Sequence, residues 1–374
     1  MIRVARAHLN VDAQTHAGMT GKNNEDRYAV ASFVLEKRDR TPVLFAVLAD
    51  GIGGHRAGEV AAELAVNHIM QAVARSDGRH IRETIEDAVI EASDAIAAHA
   101  AANENLKGMG ATCATAWIVG DRLHTAYIGD SRIYLIRGGR IQQLTVDHTW
   151  VQEAIEKGII TPEGARQHPN VHVIRRYLGS PAPPDADFRL KLFNDEGDLH
   201  AENNQGLQLL PNDILLLCTD GLTDLVWNDE ILEVIRSRSN LKEATRALIE
   251  LANSRGGHDN ITAVLIAVPP NFKLAVRKNT SLMPWIVGGV LGTILLLGVA
   301  SVFALSLLSR DADPTPTSIL TSTLTSSPTP SRAPLMTSSP LPTMTILPTL
   351  SLPIAPTYTV TPTLTPWPTH TRAP

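Results

Sequence analysis

Residues 43–49 read VLFAVLA, and residues 50–55, which follow directly, read DGIGGH. Seven uncharged, mostly aliphatic residues make too short a run for a buried helix and a good length for a strand covered on both faces. The run stops at Asp50-Gly51, passes Ile52, Gly53 and Gly54, and gives way to a helical pattern from Ala57 onward. A carboxylate at the tip of a buried strand, beside glycines that let other atoms approach the backbone, is one way to mount a site on a rigid support. Asp-Gly alone equally well makes an ordinary turn. The reading therefore depends on recurrence.

The pattern does recur. Asp130 ends LHTAYIGD, Asp220 ends NDILLLCTD, and Asp259 stands just before ITAVLIAV in GGHDNIT. Asp50, Asp130 and Asp220 each adjoin a glycine, and Glu25-Asp26 in KNNEDRY precedes a further strand. Carboxylates gathered at strand ends repel one another and are costly to desolvate unless cations compensate. An all-oxygen donor set, without cysteine or clustered histidine, selects hard ions such as Mg²⁺ or Mn²⁺ over zinc.

Around these acids the chain alternates strand and helix signals. IRVARAHLN reads as an opening strand, THAGMTGKNNEDRY as a loop, and AVASFVLEK as a strand preceding the one that ends at Asp50. Val60, Ala61, Leu64, Ala65 and Ile69 recur at helical spacing, as do Ile85, Ala88, Val89, Ala92 and Ile96. Each helix thus has one apolar face to lay on a sheet, and His68 and His99 within them read as packing or surface residues. ATCATAWIV, RLHTAYIGD and RIYLIRGGRIQQL are short β-rich runs broken by turn signals, which favours antiparallel hairpins. Residues 147–160 read as a helix, TPEGARQHP as a helical turn and loop, and residues 194–206 as a polar insertion. NDILLLCTD, two further helices (DEILEVIRS and KEATRALIELANSR) and the strand ITAVLIAVP complete an α+β domain of sheets sandwiched between helices.

Composition narrows the function classes. A net charge of −5 and a pI near 6.2, with scattered basic residues, do not suit a nucleic-acid binder. Cys113 and Cys218, the chain's two cysteines, sit in apolar strand-like settings and read as buried reduced thiols. The opening residues lack the apolar segment of a signal peptide. Residues 284–308, in contrast, hold 25 consecutive uncharged residues, long enough to cross a hydrocarbon layer of about 30 Å as a helix, with Trp285 placed as an interfacial anchor. Lys273, Arg277 and Lys278 before that run, against Arg310 with Asp311 and Asp313 after it, put the N-terminal part in the cytoplasm. The organisation expected is a globular domain at 1–270, a basic juxtamembrane linker at 271–283, a transmembrane helix at 284–308 and an extracytoplasmic tail at 309–374. That tail carries 14 of the 24 prolines among Thr and Ser, a composition that buries too little apolar surface to fold and suits a stalk or spacer.

NNED, ADGIGG, GDSR, CTDGL with TD following, and GGHDNIT occur in this order over residues 8–268. The ordered set resembles the bacterial branch of the protein phosphatase 2C family of metal-dependent serine/threonine phosphatases. The resemblance implies a four-layer α-β-β-α sandwich of two antiparallel sheets around a binuclear Mn²⁺ or Mg²⁺ centre. It implies that Asp50 bridges the two ions, with Glu25 and the Gly51 carbonyl completing one site and Asp220 and Asp259 the other. Asp26 would hold the attacking water, and Asp130 would serve a weaker third metal site. Ser131 and Arg132 would hold the GDSR turn, and Asn260 would orient the loop of Asp259. The substrates implied are phosphorylated proteins, among them Ser/Thr kinases and their targets at the membrane.

Two positions depart from the family pattern. Many relatives carry a phosphate-clamping arginine where this chain has Gly21, with Lys22 beside it; lysine pairs with phosphate as a point charge and not as a bidentate fork. Ile52 stands where animal relatives place a histidine proposed to protonate the leaving group, and His55 reads as a helix-start residue. Gly21 is the feature that favours an alternative, a catalytically weak sensor or scaffold coupling the stalk to a cytoplasmic partner. Residues 145–169 correspond to the family's mobile flap, in which Asp147 and His148 read as functional residues, and Asp147 equally well as a cap for the next helix.

Overall fold

The computed structural model describes residues 1–53 and 57–272. In chain order the elements are β1 (Ile2–Val4), β2 (Asn10–His16), β3 (Arg27–Val34), β4 (Pro42–Ala49), β5 (Gly51–Ile52), α1 (Ala57–Arg75) and α2 (Ile81–Ala102). Then come β6 (Gly110–Ala111), β7 (Cys113–Val119), β8 (Arg122–Ile128), β9 (Arg132–Arg137), β10 (Arg140–Gln143), α3 (Trp150–Glu156), α4 (Pro162–Ala165) and α5 (Asp198–Asn203). The last are β11 (Leu207–Gln208), β12 (Ile214–Cys218), α6 (Asp220–Thr223), α7 (Asn228–Ser237), α8 (Leu241–Ser254) and β13 (Ile261–Ala267).

Two antiparallel sheets carry the fold, in the orders β1-β3-β4-β7-β8-β11 and β10-β9-β12-β13-β2. The run at residues 43–49 shows why β4 is apolar throughout. Val43, Phe45 and Val47 pack with Ala61, Ala65 and Ile69 of α1, while Leu44, Ala46 and Leu48 face the second sheet beside Leu215, Leu217, Val264 and Ile266. A strand with two buried faces has no polar alternation to show. Phe45 meets Trp117 edge to face at 5.5 Å, a geometry worth about 0.5–1.5 kcal/mol beyond the area it buries. On the far side, Leu216, Cys218, Ala263 and Leu265 pack on Ile231, Leu248 and Ala252 of α7 and α8. The layers run helix, sheet, sheet, helix, as the resemblance implies.

Three local expectations need correction. The first long N-terminal strand is Asn10–His16 rather than residues 2–10. Its polar NVDAQTH sequence shows no apolar run because β2 is an edge strand, paired on one side with β13 from Asn10↔Ala267 to His16↔Ile261. The helix read at 147–160 is only Trp150–Glu156, and it breaks before Gly158, whose φ of +66° no helix accommodates. Its cap is not Asp147: the Oγ1 of Thr149 accepts from the Gln152 N–H. The polar insertion contains the short helix α5. Among the described residues no helix is long and apolar enough to cross a membrane; the span read at 284–308, most of the linker, the tail and His55 lie outside them.

Candidate active site

Four strand ends converge. β4 delivers Asp50, β12 delivers Asp220, β13 begins just after Asp259, and β3 begins just after Asp26. A cavity of about 690 Å³ is lined by Lys22, Glu25, Asp50, Gly51, Asp220 and Asp259, together with Ile52, His172 and Asn260. Asp26 and Asp130 are buried, and both lie close enough to Asp50 for their charges to raise its pKa.

Backbone contacts fix the geometry. The N–H of Asp50 donates to Thr112 Oγ1 at 2.9 Å, and the N–H of Thr112 donates back to the Asp50 carbonyl at 2.8 Å. The same Thr112 hydroxyl meets Ser131 Oγ at 2.7 Å, tying the Asp50 turn to the GDSR turn. No side chain fits where the Asp50-Gly51 turn meets α1: a Cβ on Gly51 would lie 2.2 Å from the Gly58 carbonyl oxygen, and one on Gly58 would lie 2.6 Å from Glu25 Oε2. Asn260 ties the N-terminal acids to the β13 loop. Its Oδ1 accepts from the Glu25 N–H at 2.7 Å, and its Nδ2 donates to the carbonyls of Asn23 and Ala17 at 3.0 and 3.2 Å. The Asn260 contacts therefore reach the loop of Glu25 as well as that of Asp259.

The electrostatics are those of crowded, uncompensated anions. Burial, then the charge of Asp259, pushes Glu25 up to about 7, with Lys22 opposing. Burial and the charges of Asp224 and Asp259 push Asp220 up to about 6. Asp50 and Asp130 stand well above the usual carboxylate range, chiefly through burial and then neighbouring aspartates. Asp26 is also raised, mainly by burial, although Thr219 and Thr262 hydroxyls donate to its Oδ2 at 2.9 and 2.6 Å. Arg132, the nearby strong cation, is spent on Asp147, which it grips at 3.0 and 2.6 Å.

Glu25 Oε1, Asp26 Oδ1 and Asp220 Oδ1 are buried and accept no hydrogen bond among the described residues. A buried acceptor without a donor costs about 1–3 kcal/mol, and more when charged. Orphaned carboxylate oxygens, raised pKa values and an oxygen-only donor set fit hard divalent cations.

Two residues at the site escaped the sequence reading. The donor atoms of His172, Asp220 and Asp224 all lie within 4.8 Å of one another. Asp224 was visible as the aspartate trailing CTDGL, without a role. His172 sits in an aperiodic stretch and reaches the site only through the tertiary fold. His148 proves structural: its ring stacks on Tyr127, takes the Gly129 N–H on Nδ1 at 3.0 Å and so donates from Nε2 to Asp187 Oδ2 at 3.1 Å.

Comparison with known proteins agrees with this architecture. A profile of the family described as Protein phosphatase 2C matches residues 14–265. The serine/threonine phosphatase stp of Listeria innocua is 33% identical over 262 residues, covering 69% of this chain and 95% of the relative. Among solved structures, a serine/threonine phosphatase of S. agalactiae superposes with a TM-score of 0.60 at 32% identity, over 70% of this chain and 99% of that one. The catalytic domain of the phosphatase PstP in complex with two manganese ions gives 0.56 at 34% identity, over 70% and 98%. By family match, identity and fold, the chain belongs to the protein phosphatase 2C family of enzymes.

Proposed function

We propose that this chain hydrolyses phosphoserine and phosphothreonine in proteins at a centre holding two Mn²⁺ or Mg²⁺ ions. The observation that carries the reading is the convergence of Glu25, Asp50, Asp220 and Asp259 on one cavity, with orphaned carboxylate oxygens among them. In that set Asp50 would bridge the ions, Glu25 and the Gly51 carbonyl would hold one, Asp220 and Asp259 the other, and Asp130 would serve a weaker third. Such ions supply an activated water at neutral pH and neutralise phosphate oxygens during in-line displacement.

The chain's own groups supply the rest. Asp26, pinned through Oδ2 by two threonines, keeps Oδ1 free to accept a hydrogen bond from the attacking water. Lys22 lines the cavity as a point charge for the phosphate. Gly21 contributes no side chain there; its φ is +74° and its Cβ position faces open space. Ile52 offers no proton to the leaving alkoxide, a role that falls to water or to another group lining the cavity. Neither cysteine can serve as a nucleophile, since burial pushes Cys113 and Cys218 up to about 12 and both are inaccessible.

The uncharged run at 284–308, flanked by cations on its N-terminal side, would tether the domain to the cytoplasmic membrane face. Tethering concentrates it on membrane-anchored Ser/Thr kinases and their targets, which it would oppose. The test is turnover of a phosphothreonine peptide by the purified chain with added Mn²⁺. Loss of turnover with chelator and in Asp220→Ala is the outcome expected; Mn²⁺ binding without turnover would instead favour the sensor or scaffold reading raised by Gly21.

A further inference from the structure

A second cavity, of about 360 Å³, adjoins the first and shares His172 and Asp259 with it. Arg132, Arg166, His172 and His258 lend it cationic groups, and Asp224 lies among them. Most of these charges are already matched. Arg132 is gripped by Asp147, Asp224 faces His172 Nδ1 at 3.6 Å, and nearby Glu230 is held by Arg255 at 2.6 Å.

Arg166 differs. Among the described residues it makes no ion pair or hydrogen bond, and its guanidinium carbon lies 3.5 Å over the ring of Trp227. Trp227 is 53% exposed, an unusual position for so large an apolar ring. Stacking covers one face of the guanidinium and fixes its plane, while the N–H edge remains free for a planar, two-oxygen acceptor. Arg166 closes the short helix α4 in the flap segment and Trp227 precedes α7, so two separate segments build the platform. Neither residue belongs to the acid-lined cavity itself.

We propose that the Arg166–Trp227 platform is a substrate subsite that recognises an acidic side chain, carboxylate or second phosphate, flanking the phosphoamino acid of a polypeptide. The inference rests on the phosphatase reading above. Shared walls let one peptide place its scissile phosphate against the acid-lined cavity and a neighbouring anion against Arg166. The polypeptide, not the phosphate alone, is then what the enzyme reads.

The test compares kcat/KM of the full chain with Mn²⁺ on three phosphothreonine peptides: alanine-flanked, glutamate-flanked, and flanked by a second phosphoserine. An aryl phosphate too small to reach Arg166 serves as a reference. The wild type is expected to prefer at least one anionic peptide by about fivefold over the alanine peptide, the upper range for a solvent-facing ion pair. Arg166→Gln should bring that ratio close to one, and Arg166→Lys should restore part of it by charge without the fork. The glutamate and phosphoserine arms separate the two anion sources. A wild-type ratio near one, with aryl phosphate turnover intact, overturns the subsite and leaves the phosphatase reading standing. A preference that survives Arg166→Gln also overturns it. Absence of Mn²⁺-dependent aryl phosphate turnover overturns the phosphatase reading itself.

Discussion

Replacing Asp220 by Asn should stabilise the metal-free protein, against the usual direction of a substitution at an active site. Asp220 Oδ1 accepts no hydrogen bond among the described residues, and the carboxyl's side-chain partner is Asp50, to which an amide can donate. The isosteric amide therefore forfeits little, while a charge facing Asp224 and Asp259 disappears. Burial, then the charges of Asp224 and Asp259, pushes the folded carboxyl up to about 6 from its ordinary 3.8. That difference of roughly two units corresponds to about 3 kcal/mol of destabilisation once the group is ionised. Asp220 is half-buried, so solvent screening reduces the effect to about 1–2 kcal/mol, or roughly 3–6 °C in Tm for a domain of this size. The assay is thermal unfolding of both proteins in chelator at about pH 8 and about pH 5. The variant should melt higher at the upper pH, and its lead should shrink at the lower, where Asp220 is protonated in the folded state but still ionised in the unfolded one. Excess Mn²⁺ should reverse the order, raising the parent by about 2.7 kcal/mol at a hundredfold excess over Kd. A variant that melts lower in chelator at about pH 8, or a gain that does not change with pH, would refute the picture of uncompensated carboxylates.

The same electrostatics set the pH dependence of the metal-free parent. Glu25 and Asp220 have folded pKa values raised to about 7 and 6, so each binds its proton more tightly when folded. Their contribution is full below the unfolded value near 4 and is lost as pH rises through 6 to 7; Tm in chelator should therefore fall across that window, and a Tm that climbs instead contradicts the sign. Asn260→Ala leaves the Glu25 N–H and two carbonyls without their partner, which should cost about 2–3 kcal/mol in urea unfolding and weaken Mn²⁺ binding by calorimetry about tenfold. Asp187→Ala strands buried His148 and leaves Arg189 with Asp198 alone, so a loss of about 3–5 kcal/mol is expected by denaturant titration. Lys22→Ala should raise KM for an aryl phosphate several-fold with a smaller change in kcat, because an exposed point charge binds ground and transition states alike; an unchanged KM would remove Lys22 from the phosphate site.

What could be read from residue order followed from burial. β4, β7, β8, β12 and β13 are covered on both faces or pair within hairpins, so short apolar runs mark them, and an acid at the end of such a run stands out. β2 could not be read that way. It is polar, it lies at a sheet edge, and its partner β13 is some 250 residues distant. Sequence left Asp147 open between a cap and a functional residue because it is a good capping residue by type, yet Arg132, which lies 15 residues away, claims both of its oxygens. Thr112 and His172 carry no local signature, since each acts through contacts between segments that only the tertiary fold brings together.

The pin on Asp26 has a consequence for biosynthesis. Its carboxylate is held by Thr219 and Thr262, respectively 193 and 236 residues further along the chain. Neither hydroxyl exists until most of the domain has left the ribosome, and Asp259 and Asn260 emerge at nearly the same moment as Thr262. A nascent chain shorter than this therefore carries the first acids without the partners that shape them. Activity should switch on only when β13 slots between β12 and β2, a long-range closure of the kind that makes folding slow.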